Sequence, residues 1–103
     1  MSERKAPPKH YQLLLKNFPE VMNAVENLGS TIRESGPLDN KTVELIQLAV
    51  AAAAGSTGSV RSHARRALAA GATQEEIHHT LVALISTIGF PTVAAALAWV
   101  QDD

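Results

Sequence analysis

Ten consecutive residues, Leu45 to Ala54, carry a single polar side chain, Gln47. A helix that is apolar almost all round is buried rather than laid on a surface. This segment therefore predicts a central α-helix with other helices packed around it. Asp39 is a good N-cap, which sets the helix at about Asn40 to Ala54, and Gly55 closes it as a C-cap. Hydrophobic residues make up 46% of the chain but aromatics only 4%. The apolar content is mostly Ala, Leu, Val and Ile, which suits closely spaced helices with thin side chains.

The remaining punctuation is also helical. Pro7 and Pro8 oppose a helix start, so residues 1–9 are expected to form a flexible arm. Residues 10–103 are expected to form one all-helical domain, as the length of 103 residues suggests. A first helical region, about His10 to Glu34, is divided at Pro19, which is tolerated in a first turn. Val21, Val25, Leu28 and Ile32 give its second part an apolar stripe. Ser35-Gly36-Pro37 reads as a turn. A third helix runs from Ser56 or Ser59 to Ala70, with Val60, His63, Ala64, Ala67 and Leu68 on one face. Gly71 stops it. Thr73 and Glu76 form a capping box for a fourth helix that reaches Ile88 through Ile77, Leu81 and Leu84. Gly89 ends that helix, and Pro91 opens a fifth containing Leu97 and Trp99. No strand pattern appears. The fold class is all-α, five to six helices, with a central antiparallel helix pair.

The formal net charge is −1, which gives no electrostatic case for nucleic acid. Arg61, Arg65 and Arg66 read as a solvated helix face. MSERKAPPKH is polar, and no apolar run is long enough to cross a bilayer. The expectation is a soluble, cytoplasmic protein. His78 and His79 are adjacent and point about 100° apart on a helix, so they read as a polar edge rather than a chelating pair. No metal and no cofactor is expected.

Four residues combine in a way that points to chemistry: Glu44, Ser56, Ser59 and His63. Glu44 lies 11 residues before Gly55 and His63 lies 8 after it. At 1.5 Å per residue these are roughly 16 and 12 Å from the turn, about one helical turn apart in depth. Packed helix axes are about 8–10 Å apart, so the two side chains can meet directly or through a water. Ser59 and His63 are i, i+4 neighbours, which brings the hydroxyl toward the imidazole. A Ser-His-Glu arrangement follows on paper, with His63 as the base. Plainer readings exist for each residue. Ser56 and Ser59 serve equally as helix caps, His63 as a hydrogen-bonded core histidine, and Glu44 as a first-turn acid favoured by the helix dipole.

The order Glu44, Ser56-x-x-Ser59, His63, set in LDNKTVELIQLAVAAAAGSTGSVRSHARRALAAGATQEEI and followed by GFP at 89–91, resembles the carboxymuconolactone decarboxylase and alkylhydroperoxidase D-like superfamily. The resemblance runs from about Tyr11 to Trp99. It implies an alkylhydroperoxidase D-like helical bundle and a homo-oligomer, a trimer or a hexamer. In the peroxiredoxin-related peroxidase branch, a Cys-x-x-Cys does the chemistry while Glu and His relay protons. Glu44 and His63 match that branch, whereas serine stands at both cysteine positions. The decarboxylase branch uses no redox dithiol, has a histidine matching His63, and usually places a carboxylate where Ser59 stands. Two functions follow from the resemblance. One is thiol-independent acid–base chemistry on a small carboxylic acid or lactone. The other is a redox-inactive relative, by natural or engineered replacement of Cys, that binds a small molecule or a partner.

The chain contains no cysteine, and a thiolate is the nucleophile of a thiol peroxidase. We therefore predict that dithiol-coupled turnover of an alkyl hydroperoxide will not rise above the buffer blank. Ser56→Cys and Ser59→Cys together should raise it if the surrounding site still supports relay.

Overall fold

The structure, a computed structural model, describes residues 7–101. Most of the arm expected over 1–9 lies outside these residues, and Lys9 already begins the first helix. By their contacts the residues fall into two compact units, Met1–Gly36 and Pro37–Asp103. Among the described residues the structure is helical, with no strand.

The first unit holds α1 (Lys9–Asn17) and α2 (Pro19–Glu34). Pro19 sits in the first turn of α2, where its missing N–H has no intrahelical partner to lose. Tyr11 on α1 donates a 3.0 Å hydrogen bond to Glu26 Oε2 on α2. Val21, Val25, Leu28 and Ile32, the stripe expected from spacing, are each more than half exposed.

The second unit comprises α3 (Asn40–Ala53), α4 (Thr57–Ala69), α5 (Gln74–Val82), α6 (Ile85–Ile88) and α7 (Phe90–Gln101). Among the described residues six of the seven helices have nine residues or more, and α6 is a single turn. The expected fourth helix is thus split. At Leu84 the backbone tightens, its N–H bonding the Leu81 carbonyl, and Thr80 Oγ1 bonds back to the Glu76 carbonyl, a contact that tends to bend helices. Both expected N-caps form. Asp39 accepts from the Thr42 N–H at 2.8 Å, and Thr73 and Glu76 exchange the two bonds of a capping box. Gly55, Gly71 and Gly89 end helices with φ of 71°, 105° and 92°, a region that L side chains rarely adopt.

The α3–α4 hairpin is the organising pair, and α5 and α7 pack on it. The largest fully buried side chains are Leu48, Val60, Ile77, Leu81 and Val93. Between them lie Ala52, Ala67 and Ala96, with no exposed surface at all, so backbones can approach closely. Two expectations need correction. Within one chain α3 is buried on one side only: Ile46 and Val50 are 46% and 62% exposed, because α4, α5 and α7 cover the side carrying Leu48 and Ala52. Leu68 is likewise exposed, since it turns away from the side of α4 that carries Ala64 and Ala67.

Ala52 and Ala53 give a direct test of this packing, because they are adjacent, alike, and respectively buried and exposed. Ala52→Leu should destabilise by about 1–3 kcal/mol through overpacking, while Ala53→Leu should stay within about 0.5 kcal/mol of wild type, both read by denaturant unfolding. Acid should also loosen the helix starts. The Thr42 hydrogen bonds hold the Asp39 carboxyl below its ordinary range, and the Thr73 backbone bond and the Lys41 ammonium do the same for Glu76. A carboxyl lowered on folding stabilises above its unfolded pKa, and that contribution is lost as pH falls through the folded value. The melting temperature should therefore fall as pH drops below the ordinary carboxylate range. Asp39→Ser, a neutral cap, should flatten part of that slope.

Candidate functional site

Glu44 occupies the second turn of α3, and His63 the middle of α4. Gly55 reverses the chain between them. Its N–H bonds the Ala52 carbonyl and the Ser56 N–H bonds the Ala51 carbonyl, the pattern of a glycine-closed helix end. The tight reversal sets α3 and α4 side by side, and Glu44 Oε1 meets His63 Nδ1 at 2.8 Å. The matched depth expected from the sequence is thus realised as a direct contact.

The pair is buried unequally. Glu44 is 4% exposed and is the buried charged residue of the core. A carboxylate out of water needs hydrogen-bond partners, and Glu44 has the imidazole as one of them. The His63 side chain keeps 17% of its surface exposed. Among the described residues, no buried side-chain nitrogen or oxygen lacks a partner.

The serines stand apart from this contact. Ser56 is the N-cap of α4 by position, with extended backbone, but its side chain makes no capping bond. Ser59 lies in the first turn of the helix. Both are exposed. Among the described residues no side-chain hydrogen bond joins Ser59 to His63, so the hydroxyl–imidazole contact expected from i, i+4 spacing is not made. The reason is orientation: His63 turns Nδ1 across to α3, while Ser59 faces solvent. The structure brings together Glu44 and His63, and leaves Ser56 and Ser59 at the open end of the same helix.

Two features were not legible in advance. Arg61 was expected on a solvated face, yet its Nε donates to the Trp99 carbonyl at 3.3 Å. That carbonyl is in the last turn of α7, where the helix offers no partner of its own. The bond ties α4 to α7, and no side-chain pattern announces a backbone acceptor. A concavity of about 570 Å³, open to solvent, is lined by Thr73, Glu75, Glu76, His78 and His79. It contains none of Glu44, Ser56, Ser59 or His63. Its lining is the polar edge expected around His78 and His79. Among the described residues no group of three or more His, Cys, Asp or Glu is placed to hold a metal ion, and no helix is long and apolar enough to cross a membrane.

Residues 19–102 match the model of the carboxymuconolactone decarboxylase family. The chain belongs to that family. All four candidate residues fall inside the matched region. An uncharacterized protein of Methanocaldococcus jannaschii, MJ1511, is 31% identical over 91 residues, covering 88% of this chain and 85% of its own. Among solved structures, apo-lpg0406, a carboxymuconolactone decarboxylase family protein from Legionella pneumophila, superimposes with a TM-score of 0.78 at 29% identity. That likeness covers 89% of this chain and 82% of the other. The family assignment and the all-helical fold expected from the Glu44-to-His63 pattern both stand.

The 2.8 Å contact predicts how substitutions at position 63 will behave. His63→Ala strips one partner from a buried carboxyl group, a change worth about 1–3 kcal/mol. His63→Gln, which can still donate a hydrogen bond toward Glu44, should recover a large part of that loss. Thermal melts of the two variants against wild type check this. Equal stability of His63→Ala and wild type would contradict the contact.

Proposed function

We propose that this protein of the carboxymuconolactone decarboxylase family uses Glu44 and His63 as a thiol-independent acid–base pair acting on a small carboxylic acid or lactone. The observation that supports this reading is the 2.8 Å contact between a buried carboxyl group and a partly open imidazole. With Nδ1–H donating to Glu44 Oε1, the tautomer is fixed and Nε2 is the basic nitrogen. The carboxylate then stabilises the imidazolium that forms when Nε2 takes a proton. Such a base suits proton abstraction beside a carbonyl, or protonation of a carbon losing its carboxylate. Ser56 and Ser59, at the exposed start of α4, supply hydrogen bonds to the ligand rather than a nucleophile. A serine hydroxyl is activated by a base in contact with it, and Ser59 and His63 share no such bond.

A second reading is a redox-inactive relative that keeps the scaffold to bind a small molecule or partner. It draws on the same absence of cysteine. In that case the Glu44–His63 contact would serve the fold and not a reaction.

The two readings separate on paired measurements. Small carboxylic acids and lactones are first screened by thermal shift, and any that bind are assayed for turnover. Under the proposal, His63→Gln retains most of its stability but loses roughly 10²–10⁴-fold in turnover, the usual weight of general acid–base catalysis. Glu44→Gln should lower turnover as well, with KM changing less than kcat. Turnover unchanged in His63→Gln would overturn the proposal, and ligand binding without turnover in the wild type would favour the second reading.

A further inference from the structure

Gln47 is the single polar side chain between Leu45 and Ala54, and the Glu44–His63 contact does not use it. It lies half-buried on α3, three residues past Glu44. Arg66 lies exposed on α4, three residues past His63. Three residues turn a helix through about 300°, so each sits about 60° back from its neighbour in the pair. The two helices run antiparallel, and equal backward rotations then carry both residues to the same side of the hairpin. That side faces away from α5 and α7. Buried Ala64, and Arg61 with its bond to the Trp99 carbonyl, lie on the other. The heights agree as well. Gln47 is eight residues before Gly55 and His63 eight after it, while Glu44 and Arg66 are each eleven away. Among the described residues neither the Gln47 nor the Arg66 side chain is committed to a hydrogen bond or an ion pair.

We propose that Arg66 and Gln47 form a binding subsite for a substrate carboxylate, Arg66 pairing with the carboxylate and the Gln47 amide donating to a second oxygen beside the reacting carbon. This rests on the acid–base reading of Glu44 and His63, and it narrows the substrate to an ionised acid rather than a neutral lactone. A guanidinium presents two parallel donors that match a carboxylate. On a helix, residues three apart have Cβ atoms about 5–6 Å from each other, so an acid held by Arg66 lays its next carbons over the open edge of His63. Charge points the same way. The buried Glu44 carboxyl group disfavours a second anion beside it, and a cation at the same height removes that opposition. Ser59, about 40° back from His63, borders the same side, and from Ser59 to Arg66 the helix rises roughly 10 Å. That length accommodates a small acid.

Titration calorimetry on the full chain tests this without reference to turnover. The probes are pyruvate, levulinate and sorbate, each paired with its methyl ester, and γ-butyrolactone as a neutral ring. At least one acid should bind, and about tenfold or more tighter than its ester, the weight of a charge-assisted hydrogen bond. Arg66→Gln should weaken that acid about tenfold or more and leave the melting temperature unchanged, because an exposed substitution costs little stability. Arg66→Lys keeps the charge but not the fork, and should fall between the two. Arg65→Gln, one residue away and about 100° round the helix, should bind the acid as the wild type does. For any acid that is turned over, Arg66→Gln should raise KM while kcat changes less. The proposal is overturned if no acid binds in preference to its ester, if Arg66→Gln binds the acid like the wild type, or if Arg65→Gln loses as much as Arg66→Gln. An acid bound through Arg66 but not turned over would uphold the subsite and overturn the acid–base reading, so the two fail separately.

Discussion

The second unit depends on how closely α3 and α4 can approach. Alanines with no exposed surface line their contact, and Gly55 at φ 71° reverses the chain within three residues. A larger side chain at Ala52 or Ala67 would hold the two backbones apart. A hydrogen bond of 2.8 Å between a glutamate and a histidine tolerates little of that. The thin alanine packing, which on composition alone looks like an economy of core, is what allows a carboxyl group and an imidazole from facing helices to touch.

That contact also settles where polarity enters an apolar core. Glu44 is flanked along α3 by Val43 and Leu48, both buried. An unpartnered carboxylate there would cost several kcal/mol. The imidazole offsets the cost and keeps 17% of its side-chain surface open, so one end of the pair is fixed by the interior and the other reaches solvent. The interior thus fixes the orientation of an imidazole that is itself only partly open.

Much of this was legible in the residues. Asp39, Thr73 with Glu76, Gly55, Gly71 and Gly89 each announced a helix boundary by local chemistry, and each boundary fell within a residue or two of its expected place. Depth about Gly55 placed Glu44 and His63 together, because a short reversal makes residue count a measure of height. Rotation about the helix axis was less legible. Ser59 has the right spacing to meet His63, but spacing does not say that the imidazole turns across to α3. The break at Leu84 follows from backbone bonds that no side chain encodes. Arg61 reaches a carbonyl, and every residue has one, so its partner leaves no mark in the sequence. The exposed side of α3 was misjudged for a related reason: hydrophobicity states that a surface prefers cover, not which surface supplies it.

Glu44 and His63 are only 19 residues apart, and both belong to one hairpin. Closing a loop of this length costs less chain entropy than closing one across the whole chain, though the cost grows only slowly with length. The contact is therefore contained in the α3–α4 hairpin, and no residue of α5 or α7 is needed to bridge its two side chains.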